Sequence, residues 1–277
     1  MSRVPAFFES LLDLPVPLLI LCLVVWWGGC ALVVHRLLVP WIAGRHGNKL
    51  GRLEAEVPAQ IGLAFGLLIS FIAMPIWEQH GQAEAAAQAE AAAYREMHDA
   101  LLDATPEAMA SIAPRMRDCV EFIARKEWPQ MRQLESPRVA APPLRALRHA
   151  IHELPEESTR TELRELLRTA TEARDTRLRI AANRPPPARW SIVGTLAILT
   201  LLGVGLIHAE SYRARRIALS MVAVGISCCF VLLLAYTRPY LGQFAVKPDD
   251  LVCLAEDLAA DAVPLTAQTD EPATRTR

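Results

Sequence analysis

Few residues in this chain are spaced for chemistry. His149 and His152 stand three apart with Glu153 adjacent, so both imidazoles fall on one helical face and could begin a metal site. No further Cys or carboxylate spacing completes four ligands, and no metal or cofactor is expected. His35 and His208 lie near the ends of apolar runs, where a water-facing imidazole is the ordinary expectation. No glycine-rich phosphate loop, nucleophile elbow or metalloprotease signature occurs, so no catalytic residue is assigned and the chain does not read as an enzyme.

The elements that would carry any site are set by composition. Of 277 residues, 52% are hydrophobic, and mean hydropathy is +0.22, too apolar for an ordinary soluble enzyme. The apolar residues are segregated into long uncharged runs toward both ends, so a lipid bilayer is the expected surrounding. A net charge of −1 gives no nucleic-acid footprint. Spans are expected at about 16–38, 57–77, 190–208 and 217–236, each long enough at about 1.5 Å per residue to cross a hydrocarbon core of roughly 30 Å. The first run is too long for the apolar region of a signal peptide and is read as retained. Trp190 and Tyr236 fit an aromatic belt at one membrane face. The fold class is therefore all-α and integral to a membrane. Two transmembrane hairpins (1–77 and 190–236) flank a helical, water-facing domain (78–189), and a C-terminal segment (237–277) ends in a disordered stretch.

Charged residues inside spans mark ion or proton pathways, and these spans have almost none. Two readings remain: a passive pore with apolar walls, which gates by dewetting, or a membrane scaffold whose helical domain binds partners. The second span is the informative one. Gly62, Gly66 and Ser70 recur every four residues and form a close-packing face. On the opposite face fall Gln60, Leu67, Phe71 and Glu78, flanked by Met74, and these are the pore-lining candidates. Gly194, Gly203, Gly205 and Gly225 supply further close-packing positions.

Between the hairpins the pattern is helix after helix. Residues 82–100 are Ala-rich, with Glu84, Glu90 and Glu96 interspersed, and continue the second span without Gly or Pro. One apolar face follows with Met109, Ile112, Met116, Cys119, Val120, Ile123 and Trp128; Pro129 ends it. Pro142-Pro143 opens a short helix carrying Leu144, Leu147, Ile151 and Leu154. Thr159 and Glu162 form a capping box for a helix that turns Leu163, Leu166, Leu167, Ala170 and Ala173 inward and its Glu and Arg residues outward. Pro185-Pro186-Pro187 then breaks helix.

With four spans, both termini and the central domain share one side. The short loops hold Arg45, Lys49, Arg52, Arg213, Arg215 and Arg216; the other side offers Arg3, Arg184, Arg189, Arg238 and Lys247 near the membrane. Six cations against five lean toward cytoplasmic loops and an outside domain. Cys119, alone in the central domain, is the natural site for a labelling test.

Set in order, Phe65-Gly66-Leu67-Leu68, Trp77-Glu78 with its Ala/Glu helix, Lys126-Glu127-Trp128-Pro129, Trp190, Arg238-Pro239, Gly242 and Pro248 resemble the bacterial bestrophin-like domain family, multi-pass proteins of the bacterial inner membrane. The resemblance spans about residues 57–258. It implies kinship with bestrophins: homo-oligomeric, pentameric anion channels of two helices, a cytosolic helical region and two more helices, with the second helix lining the neck. Small anions would then be the permeant species, and the central domain would face the cytoplasm, against the charge lean. The bestrophin pattern of Arg, Asn and paired Trp after the second span is absent, as is the acidic calcium clasp.

Overall fold

The computed structural model describes residues 15–46, 56–131, 139–183 and 187–267, and among them there is helix but no strand. In chain order the elements are α1 (Val16–Val33), a π-helical turn (Val34–Leu38), α2 (Val39–His46), α3 (Glu56–Leu102), α4 (Pro106–Phe122), a second π-helical turn (Ile123–Glu127), α5 (Trp128–Gln130), α6 (Pro142–His152), α7 (Glu157–Ala182), α8 (Pro187–Ile207), α9 (Tyr212–Thr237) and α10 (Asp249–Ala267). Four stretches are long and apolar enough to cross a membrane: Val16–Ile42, Glu56–Leu102, Ala188–Ile207 and Tyr212–Thr237. The four-span, all-α architecture is as expected. The chain divides into two compact units, residues 1–80 with 184–245, and residues 81–183 with 246–277.

The first unit is built on the pairing of α1 with α9. Leu19, Leu23, Trp27 and Ala31 recur every four residues and are buried against Leu219, Ala223, Ile226, Phe230 and Leu234 of α9. The Trp27 and Phe230 rings lie 5.0 Å apart between centroids. Ser227 Oγ donates to its own helix at Ala223 O, 2.7 Å, and lies 3.3 Å from Leu23 O across the pair. On α8, Val193, Ala197 and Leu201 join the same core, and Gly203 and Gly205 allow closest approach. A Cβ on Gly203 would lie 2.9 Å from Pro58 Cβ, and one on Gly205 would lie 2.8 Å from Val39 Cγ2. In α3, Phe65, Ala73 and Ile76 form the buried face.

In the second unit, the latter part of α3 buries Ala83, Ala86, Ala87, Ala91, Tyr94, Met97 and Leu101. Short Ala side chains let neighbouring backbones approach. Ile112, Met116, Cys119, Val120, Ile123 and Trp128 are buried as their spacing predicts, while Ala108 rather than Met109 takes the first inward position. Thr105 caps α4 by accepting from Ala108 N at 3.3 Å. Leu144, Leu147, Ile151 and Leu154 are all buried, and Trp128 Nε1 donates to Val246 O.

Two expectations are corrected. Thr159 and Glu162 form no capping box, because α7 begins at Glu157 with Glu156 as a non-bonding cap, which places Thr159 inside the first turn. The Arg residues of α7 do not all point outward: Arg174 and Arg177 are buried. Lys49, Arg52, Arg3, Arg184, Pro185, Pro186 and the tail beyond 267 lie outside the described residues.

Gly203 meets the Pro58 ring, which has little freedom to yield. Gly203→Ala is expected to destabilise the detergent-solubilised protein by about 1–3 kcal/mol through overpacking. Gly28→Ala, where a Cβ meets nothing within 4 Å, should leave the melting temperature unchanged or raised; thermal unfolding of both variants checks this.

Candidate functional site

The pore candidates lie together on one exposed face of α3. Gln60, Leu67, Phe71, Met74 and Glu78 are all exposed, with Phe71 and Met74 at 75% and 70%. The packed face of Phe65, Ala73 and Ile76 lies roughly half a turn away, at about 100° per residue. The packing of the first unit therefore leaves the Leu67–Phe71 face open. Of the small residues, Gly62 approaches Thr200, whereas Gly66 and Ser70 lie on the flank of the exposed face, with Ser70 Oγ bonded to Gly66 O at 3.0 Å.

The open stripe keeps its phase along the 47-residue helix. Ala64 fills the one step between Gln60 and Leu67, and in the second unit Gly81, Ala85, Gln88, Ala92, Arg95 and Asp99 continue the alternation of four and three, every one exposed. A 3.5-residue repeat on an unpacked face has the geometry of a helix-to-helix seam. At about 1.5 Å per residue, α3 is about 70 Å long.

The strongest polar constellation lies in the second unit, and sequence reasoning missed it. Glu90 of α3, Glu127 at the end of the second π-turn and Arg177 of α7 are completely buried; Arg174 is nearly so. Arg177 donates from Nε to Glu90 Oε2 at 2.6 Å, from Nη2 to Glu90 Oε1 at 3.1 Å and to Glu127 Oε1 at 2.6 Å. Its guanidinium stacks 4.6 Å from the Trp128 ring centroid. Arg174 donates Nε to both Glu127 oxygens, at 3.2 and 3.0 Å, and Nη2 to Glu127 Oε2 and to Val139 O. Two carboxylates and two guanidinium groups thus cancel in charge. Burial alone would pull the Arg177 proton affinity down, but the facing Glu90 and Glu127 carboxylates outweigh it and hold the guanidinium raised. Each of the four side chains is thus engaged by an oppositely charged partner within the cluster.

Among the histidines, His35 differs from expectation. His35 is not wet; it is buried, with Nδ1 accepting from Arg215 Nε at 3.0 Å and its ring 4.5 Å from Tyr212. His208 bonds Val204 O. His149 and His152 do not converge on a metal: His149 Nε2 faces Glu153 at 3.3 Å, His152 Nδ1 faces Arg164, and among the described residues no group of three metal ligands occurs. Cys119 is buried with Sγ 3.4 Å from the Tyr94 hydroxyl, and burial pushes its thiol up to about 11. It cannot report which side of the membrane the domain faces.

Glu127→Ala would strand Arg174 in the core and leave Arg177 with Glu90 as its one carboxylate, an expected loss of about 3–5 kcal/mol, against no measurable loss for exposed Arg125→Ala; chemical denaturation of both checks this. Cys119 should resist maleimide until the protein unfolds. Because its folded pKa lies above the ordinary 9.0, the unfolded chain loses this proton first, so stability falls as pH rises from 9 toward 11. Cys119→Ser should flatten that part of the pH–stability curve.

Known proteins can now be set beside this geometry. The model of the bestrophin-like domain matches residues 28–251. Crystal structures of variants of a bacterial bestrophin homologue from Klebsiella pneumoniae align with TM-scores of 0.66 at 15% identity and 0.67 at 13% identity. Each covers 87% of this chain, and 98% and 97% of the homologue respectively. A further membrane-protein crystal structure aligns over 91% of this chain and 99% of its own, with a TM-score of 0.64 at 15% identity. No curated protein matches.

Proposed function

Given that this chain belongs to the bestrophin-like domain family, we propose that it is a homo-oligomeric channel passing small anions across the bacterial inner membrane. In this reading five copies place the exposed stripe of α3 around a common axis. One observation carries the proposal: Leu67, Phe71 and Met74 are large apolar side chains left open on a face opposite the packed one. Those three side chains would form an apolar constriction, with Gln60 and Glu78 at its two ends, and an apolar neck of this kind controls conduction by wetting and drying. A ring of Glu78 carboxylates would oppose anions electrostatically and so set the rate at that end.

A second reading is favoured by the small, exposed positions Gly81, Ala85 and Ala92. They suit a closely packed helix seam, and a non-conducting scaffold or sensor could use that seam to bind a partner protein through the helical domain. Chemical crosslinking separates the two: a ladder ending at one ring of identical subunits supports the pore, and a heteromeric product supports the scaffold.

For orientation, the short-loop cations favour an outside helical domain, and we carry that orientation as part of the proposal; kinship with bestrophins favours the opposite one. Arg148 is exposed, so Arg148→Cys in a background lacking the other cysteines supplies the reporter that Cys119 cannot. Modification by an impermeant thiol reagent in intact cells supports the outside placement, and protection overturns it.

In proteoliposomes, halide efflux is the expected activity. Leu67→Ala and Phe71→Ala should each raise it several-fold by widening the constriction, and Glu78→Gln should raise it by removing the carboxylate ring. Silence of the wild-type protein and of all three variants would count against conduction.

A further inference from the structure

The groove between α1 and α9 combines an apolar wall, a cation and a buried donor in a way the channel proposal does not use. It has a volume of about 350 Å³ and is walled by Val24, Gly28 and Leu32 on α1 and by Ala223 and Val224 on α9. This lies at the lower end of the roughly 300–1,000 Å³ range of small-ligand pockets. At one end the wall becomes polar, with His35, Arg216 and Ser220. His35 is 19 residues beyond Val16, so at about 1.5 Å per residue this end is about 28 Å along the span, close to one edge of a hydrocarbon core of about 30 Å. Arg216 belongs to the first two turns of α9 and has no carboxylate partner among the described residues.

The state of His35 follows from its partner. A guanidinium can only donate, so the 3.0 Å bond from Arg215 Nε requires His35 Nδ1 to be the acceptor. The ring proton of a neutral imidazole is then on Nε2. That atom is buried and has no hydrogen-bond partner among the described residues. A buried N–H without an acceptor is costly, and here it belongs to a side chain only 3% exposed that lines the groove.

We propose that this groove binds one anionic phospholipid, an acyl chain lying along the α1–α9 wall, its phosphate against Arg216 and an ester or phosphate oxygen accepting from His35 Nε2. A free phosphate would gain nothing from the apolar wall, and a zwitterionic lipid would bring a second cation beside Arg216. The site rests on membrane insertion alone and stands whether or not the protein conducts.

The experiment is native mass spectrometry of the full-length protein released from mild detergent after titration with phosphatidylglycerol or phosphatidylcholine. The wild type should retain phosphatidylglycerol at least 10-fold more strongly. Arg216→Gln should bring retention down to the phosphatidylcholine level. Gly28→Leu, at a position where a Cβ meets nothing within 4 Å, should fill the groove and lower retention of both lipids with the subunit number unchanged. Equal retention of the two lipids by the wild type, or wild-type retention of phosphatidylglycerol by Arg216→Gln, overturns the proposal. So does Gly28→Leu dissociating the oligomer while lipid stays bound, which would make a second copy of this chain the occupant.

Discussion

Glu90 must stay buried, because it shares Arg177 with Glu127 and the three have no water to turn to. That single requirement fixes the rotation of α3 about its own axis in the second unit. With Glu90 inward, Tyr94 and Met97 are inward too, and Gly81, Ala85, Gln88 and Ala92 are outward. A hydrophobic face alone, made largely of Ala, would define this rotation weakly, since one Ala face resembles another. Paired charges define it strongly, because any other rotation would bury an unpaired ion. In the first unit the same helix is oriented by different means, with Phe65, Ala73 and Ile76 supplying the bulk that the Ala-rich part lacks.

Much of the fold was legible in the sequence, because a bilayer demands long uncharged runs and helices that satisfy their own backbone. Leu144, Leu147, Ile151 and Leu154 likewise announced their inward face by spacing. The buried charges were not read, although the signal was present. Leu163, Leu167, Ala170, Arg174 and Arg177 advance by four and three without a break, so both arginines fall in phase with the apolar stripe. His35 falls four residues after Ala31 in the same manner, and Glu90 sits four before Tyr94. Treating charge as outward by type, rather than by phase, hid all of them. The exposed face of α3 was readable as a pattern, but what covers it is not written in one chain.

The two π-turns could not have been anticipated from residue types. Each widens a helix by one residue, and each contains a buried polar side chain that reaches across to another helix: His35 to Arg215 of α9, and Glu127 to Arg174 and Arg177 of α7. Such single-turn widenings are frequent where a helix must redirect a side chain. Here they aim polar groups at cationic partners that a regular helix would meet at a different angle.

The first π-turn also bears on how this chain can change length. A π-turn holds one residue more than an α-helix needs, so a helix can lose that residue and remain a helix. The turn absorbs that residue, so everything beyond it would keep its direction, whereas one residue lost from the regular part of α1 would turn everything beyond by about 100°. In the second case Val39, which lies against Gly205, would swing away from it, and the close approach of α2 to α8 would be lost with no side chain altered. Residues 34–38 are therefore where the first hairpin can shorten by one residue and keep its alignment against the second.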